Sequence, residues 1–324
     1  MDQMSLNYVP GNMLIGEKED SLERQKGFEA IAKITKEHDA IILAQLANIE
    51  DQQGFYKAET TENQILALKR TLWAAKYVYE RGFDGILIQF LPAVKDGIVY
   101  LELTEKLIET LEKVVRSNIP KEAAFVIGVK LSTAKFEAAG VDYDGFMKVL
   151  KKVESCNYDF VELAGGSIEF PLENATSRES LFSKVITSAK SYVPNLSIFA
   201  TGGFRTVAAM ENAVASGSLD GIGLARPSAS EFDFPNKVLK QQIQSAMWSP
   251  FEDDMSLGVP AAAAQIAQAG KTGLKETQFD ANFGISNFAD EKTHQSFLTA
   301  KKVRDAEIES MKKEGKLIAG VIQF

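Results

Sequence analysis

The sequence predicts an α/β protein of the (β/α)8 TIM barrel class. Three observations predict it. Short apolar runs alternate with amphipathic helical segments, the pattern of parallel strands joined by right-handed crossovers. A glycine turn, Thr201-Gly202-Gly203, follows the next-to-last of these strands. A cation, Arg226, stands at the exit of the last one, in Gly223-Leu224-Ala225-Arg226-Pro227. An open doubly wound sheet also explains the alternation, and six strands suffice for it. Its glycine fingerprint, however, usually opens the first unit. A glycine turn and an arginine in the last two units is the barrel arrangement.

The elements follow in order. Residues 21–38 read as a helix and 40–46, Ala-Ile-Ile-Leu-Ala-Gln-Leu, as a buried strand. Residues 62–81 are a strong helix, with Leu66, Trp73, Ala74, Tyr77 and Val78 near helical spacing. Gly82 stops it, and 83–88 is the next strand. Helices over 104–117 and 144–156 alternate with strands over 125–131 and 160–163, the latter ending at a tight Gly165-Gly166 turn. A helix over 178–192 leads into the strand 196–200, a helix-period segment follows the glycine turn, and 221–224 is the last strand. A helix over 234–247 closes the unit. A seventh strand near residues 6–15 is interrupted by Pro10 and Gly11. After Ser249 the chain reads as loop through Phe288, then as a charged helix over about 292–313, most simply a packing or homo-oligomer contact. The domain division is therefore a barrel over 1–248 and an extension over 249–324. No internal repeat is evident.

Composition excludes several functions. The 324 residues carry a net charge of −8 and no basic stripe, which argues against nucleic acid as a partner. No apolar run is long enough to span a bilayer, and residues 1–21 lack the basic flank and apolar core of a signal peptide. One cysteine, Cys156, precludes an internal disulfide framework and fits a reducing, cytoplasmic setting. With only His38 and His294 besides, no metal site of the His/Cys type is expected. Cys156 reads as buried packing, and His38 sits at a helix C-terminus, where it complements the dipole.

The segment 196–227 carries the chemistry. Gly202 and Gly203 let backbone N–H groups approach an anion, and the next helix adds a partial positive charge. Arg226 supplies a forked pair of donors. Arg205 reads as one half of a structural ion pair, and Gln89 as a satisfied core glutamine.

Taken together, six pieces resemble the old yellow enzyme group of FMN-dependent NAD(P)H:flavin oxidoreductases. They are Gly11-Asn12-Met13-Leu14-Ile15; Ala44-Gln45-Leu46; Ala74-Ala75-Lys76-Tyr77 with Gly82-Phe83-Asp84-Gly85; Ile127-Gly128-Val129-Lys130-Leu131-Ser132; Val161-Glu162-Leu163-Ala164-Gly165-Gly166; and Thr201-Gly202-Gly203-Phe204-Arg205-Thr206 with Gly223-Leu224-Ala225-Arg226-Pro227. They lie in family order over roughly residues 10 to 245. The resemblance implies that Gln45 hydrogen-bonds the flavin pyrimidine edge and that Lys130 stands beside N1 and O2. It implies that Gly202, Gly203, Ala225 and Arg226 cradle the phosphate, with Ala225 where the family commonly has glycine. The cofactors implied are FMN and NAD(P)H as electron donor, and the partner is a small-molecule substrate.

The departures matter equally. The family continues its Phe-Asp-Gly strand into a His-x-x-His or His-x-x-Asn pair and a long loop with an active-site tyrosine. Here the strand continues Ile88-Gln89-Phe90-Leu91-Pro92, and that loop looks deleted. Catalytic residues therefore stay unassigned. The family's first strand and helix are not matched either, so the barrel is expected to be incomplete at its N-terminus. Three readings stay open: an oxidoreductase passing hydride from NAD(P)H via FMN to an electron-poor alkene or related acceptor, a degenerate barrel that keeps flavin or partner binding, and a barrel enzyme acting on a sugar phosphate.

Overall fold

Parallel strands alternate with amphipathic helices along the chain. The computed structural model describes residues 13, 15–47, 56–57, 61–95, 98–165, 186, 188–252, 254–273, 275–314, 316 and 320–324. Helix α1 (Leu22–Lys36) starts where Ser21 Oγ accepts the Arg24 N–H, a serine N-cap. It leads to β1 (Leu43–Ala47). Beyond β2 (Tyr56–Lys57) come α2 (Thr61–Glu80), β3 (Gly85–Phe90), β4 (Ala93–Lys95), β5 (Ile98–Val99) and α3 (Leu101–Asn118). Next are β6 (Val126–Ser132), α4 (Thr133–Ala138), α5 (Tyr143–Ser155), β7 (Phe160–Ala164), β8 (Ser197–Thr201), α6 (Val207–Ala215) and β9 (Gly221–Gly223). The chain ends with α7 (Arg226–Ser230), α8 (Phe234–Leu239), α9 (Met255–Ala269) and α10 (Glu291–Lys313).

The main sheet runs β1-β3-β6-β7-β8-β9, six strands, every neighbouring pair parallel. The order is sequential, with no reversal. A doubly wound sheet reverses its order at a switch point, so the sheet is singly wound, as in a barrel. Six of a barrel's eight strands are present among the described residues: an incomplete (β/α)8 barrel.

Alternation along the strands separates two faces. One carries Ile86, Ile88, Ile127, Val129, Leu131, Val161, Leu163, Ile198 and Ala200, which join Val78 of α2, Ile108 and Val115 of α3, and Val149 of α5 in one buried core. Each fully buried aliphatic side chain there contributes about 2 kcal/mol. The opposite, inner face carries Gln45, Gln89, Lys130, Glu162, Phe160, Phe199 and Thr201, none fully buried. Two glycines make room on it. A Cβ at Gly128 would lie 2.3 Å from the Phe160 ring, and one at Gly221 would lie 2.5 Å from the Phe199 ring. The two rings meet edge to face at 5.4 Å.

One device recurs where three strands begin. Asp84 accepts the Ile42 N–H at 3.0 Å and pairs with Lys36. Asp159 accepts the Ile127 N–H at 2.7 Å and pairs with Arg116. Asp220 accepts the Ile198 N–H at 2.7 Å and pairs with Lys190. Each time an aspartate before one strand satisfies an amide at the start of its neighbour, held by a cation from the helical segment before that neighbour. No repeat is evident in the sequence because the shared signature is a single Asp after an aromatic or leucine: Phe83-Asp84, Tyr158-Asp159, Leu219-Asp220.

Two readings need correction, and one short pairing was not foreseen. The helix expected over 234–247 ends at Leu239: Gln241 takes a left-handed φ of 55°, and the Gln242 N–H closes on Lys237 O at 2.9 Å. The chain then turns back so that Ser245 bridges Thr206. The stretch expected to be loop from 249 to 288 contains α9, whose N-cap Asp254 accepts from Ser256 and Leu257 N–H. The segment after β3 is a short pairing of β4 with β5, and β2 lies parallel to β4. A second, smaller core of Phe251, Ala261, Phe288, Phe297 and Ile322 holds the extension together. The strand read near 6–15 falls mostly outside the described residues, as does the helix read over 178–192 except for 186 and 188–192, which are helical.

Candidate functional site

The inner face brings together residues far apart in sequence. Strand register sets Gln89 opposite Lys130, and Lys130 opposite Glu162. Lys130 Nζ donates to Gln45 Oε1 at 3.3 Å and lies 2.6 Å from Glu162 Oε1. Gln45 Nε2 donates to Gln89 Oε1 at 3.2 Å. The result is a polar strip across β1, β3, β6 and β7 with a fixed sense: amide, amide, ammonium, carboxylate. The lysine and glutamate side chains are 19% and 13% exposed, so their attraction is little screened. Gln45 itself is exposed, available to a molecule lying on the strip. Gln89 belongs to this strip rather than to the core.

The second group lies at the carboxyl ends of β8 and β9. Gly202 and Gly203 have φ of 129° and 81°, values that side chains with a Cβ rarely adopt. Their backbone thus forms a turn that only glycine fits readily. Ala225 has φ −110°, so its methyl group meets no backbone strain. The following helix adds less than the sequence implies. The amides of Val207, Ala209 and Met210 are taken by Gln244 O, Thr206 Oγ1 and Thr206 O. Arg226 Nη1 donates to Glu252 O at 2.9 Å, and its Nη2 lies 3.5 Å from Glu252 Oε1. Arg205 pairs with the same carboxylate. Arg205 and Arg226 thus share one carboxylate, beside a pocket walled by Trp248 and Phe251.

Sequence reading missed Glu162 as Lys130's partner and Glu252 as the clamp on Arg226. Glu162 could have been found, because strand register puts it beside Lys130 once the sheet order is known. Glu252 had no such signal; it sits in a loop of the extension. Of the two histidines, His38 lies in the turn after α1 and His294 lies in α10 with its ring 4.8 Å from Phe251. Neither is on the sheet. Cys156 is buried, and burial pushes its thiol above the ordinary range. Gly165 closes β7, while Gly166 lies outside the described residues.

The fold and site together define an incomplete (β/α)8 barrel with a polar inner strip and a glycine turn at its carboxyl end. No family model matches the chain. It is 28% identical over 234 residues to an NADH-dependent flavin oxidoreductase (nadA) of Aspergillus parasiticus, covering 65% of this chain and 52% of that protein. It is 26% identical over 227 residues to an NADH-dependent flavin oxidoreductase (iccE) of Talaromyces variabilis, covering 67% and 50%. The chain thus spans about half the length of these curated relatives. Among solved structures it resembles a 2-naphthoyl-CoA reductase complex (TM-score 0.61, 13% identity, 77% of this chain and 47% of that one). It also resembles the old yellow enzyme homologue of Zymomonas mobilis (TM-score 0.53, 15% identity, 72% and 79%) and morphinone reductase (TM-score 0.52, 12% identity, 69% and 72%). Its curated relatives are NADH-dependent flavin oxidoreductases, and its fold is that of old yellow enzyme homologues. Among the described residues no helix is long and apolar enough to cross a membrane.

Proposed function

We propose that this chain is an FMN-binding oxidoreductase of the old yellow enzyme type. The observation that carries the reading is the contact between Gln45 and Lys130, 85 residues apart in sequence and 3.3 Å apart on the inner face. An amide beside an ammonium offers donors and an acceptor to a heterocycle edge that has both. Gln45 would hold the pyrimidine edge, and Lys130 would place positive charge where an electron-rich ring gains most from it. Gly202 and Gly203 would present backbone N–H groups to the phosphate, with Ala225 tolerated and Arg226 adding charge. When bound, FMN supplies hydride chemistry between a nicotinamide donor, NADH in the named relatives, and an electron-poor acceptor such as an activated alkene.

A second reading, a barrel that keeps flavin without efficient turnover, is favoured by the position of the histidines. Neither can reach an acceptor carbonyl from the sheet, and β3 exits through Leu91 and Pro92. A histidine donor at a developing oxyanion would supply about 3 kcal/mol of transition-state stabilisation, and among the described residues no histidine is placed to give it. The two readings separate in one experiment. The purified chain is titrated with FMN and then given NADH without oxygen. A flavin band that forms at one equivalent and bleaches supports the oxidoreductase; a band that persists supports the second reading; no binding overturns both.

A further inference from the structure

We propose that Glu162 is a positioning residue that sets how much positive charge Lys130 offers to a molecule on the inner strip. The inference rests on the FMN reading and names a residue that the reading does not use. Lys130 and Glu162 are in register on neighbouring strands, 2.6 Å apart and largely shielded from water. An ammonium has three donors. One is directed to Glu162 and one to Gln45, so the direction of the remaining donor is fixed by the other two. Glu162 thereby orients Lys130 and also neutralises it. A ring on the strip meets the positive end of an ion pair instead of a lone cation.

The consequence has a definite sign. Removing the glutamate charge leaves an uncompensated cation, which favours the electron-rich form of any redox group beside it. Removing the lysine charge does the opposite. Removing both returns the site to neutrality. A purely structural role for Glu162 predicts no such pattern.

The test is the midpoint potential of bound FMN, measured by spectroelectrochemistry on the full chain and on Glu162→Gln, Lys130→Met and the double variant. Glu162→Gln is expected to favour reduction about tenfold, a rise of about 30 mV for a two-electron couple. Lys130→Met is expected to shift it by a similar amount downward, and the double variant to lie near the wild type. FMN bound by Glu162→Gln with an unchanged potential overturns the inference while leaving the cofactor reading intact. No FMN bound by any of the proteins overturns both. If Glu162→Gln does not fold, the double variant decides: it lacks both charges and leaves neither buried alone. A double variant as low as Lys130→Met alone overturns the inference.

Discussion

Replacing Asp220 by Ala removes the carboxylate that joins β9 to β8. Its Oδ2 accepts the Ile198 N–H at 2.7 Å and the Lys190 ammonium at 2.7 Å. Ile198 is fully buried, so its amide gains no water when the carboxylate goes. An unsatisfied buried N–H costs about 1–3 kcal/mol. The ion pair adds less than about 1 kcal/mol, because the Asp220 side chain is 40% exposed and screened. The expected loss is about 2 kcal/mol for Asp220→Ala, and about 1 kcal/mol for Asp220→Asn, which keeps an acceptor. Burial pushes the Asp220 carboxyl up, but the Lys190 ammonium and the Ile198 amide bring it below its ordinary 3.8. A depressed folded pKa gives stability that is complete above the unfolded value and is lost as pH falls through the folded one. The gap between wild type and Asp220→Asn should therefore be full at neutral pH and close in acid below 3.8. Urea midpoints across that pH range measure it. An Asp220→Ala midpoint equal to that of the wild type at neutral pH would refute the reasoning, as would a gap that widens in acid.

Three further outcomes follow from packing and charge. Gly128→Ala should drive the Phe160 ring off its seat and cost about 1–3 kcal/mol, read as a lowered Tm with a changed near-ultraviolet circular dichroism spectrum. Glu252→Gln leaves Arg205 and Arg226 together without their shared carboxylate, at a cost of about 3 kcal/mol. Added phosphate should restore more stability to that variant than to the wild type in the same melts. Phe297→Ala opens the smaller core around Phe251 and Phe288 and should cost about 3–5 kcal/mol. Hydrogen exchange should then lose protection in Glu291–Lys313 before it does so in β3 and β6.

The strands were legible because their outward positions are uninterrupted aliphatics, as in Ile86 and Ile88 or Ile127, Val129 and Leu131. Periodicity sees burial of that kind directly. Helix α9 was not legible, since Gly258 and Pro260 near its start mimic loop chemistry while its support comes from Asp254 and from packing. The hairpin of β4 and β5 was hidden by its length, two or three residues a strand. At the site, single residues could be read and their partners could not. Lys130 showed itself by its neighbours, but the carboxylate beside it depends on which strand lies next. Arg226 was legible as a cation at a strand exit. That its guanidinium rests on Glu252, 26 residues on, is a tertiary fact with no local trace. The aspartate devices were hidden likewise, because each links residues 22 to 42 positions apart.

The most direct measurement compares FMN with riboflavin, which lacks the phosphate, by fluorescence titration of the wild type and Gly202→Val. The wild type should bind FMN with one-to-one stoichiometry and at least about tenfold more tightly than riboflavin, about 1.4 kcal/mol for the phosphate. Gly202 stands at φ 129°, so valine should remove that difference while leaving riboflavin affinity nearly unchanged. Equal affinity of the wild type for both ligands, or an FMN preference that survives Gly202→Val, would contradict the assignment of the phosphate to the glycine turn and the ring to the Gln45–Lys130 strip.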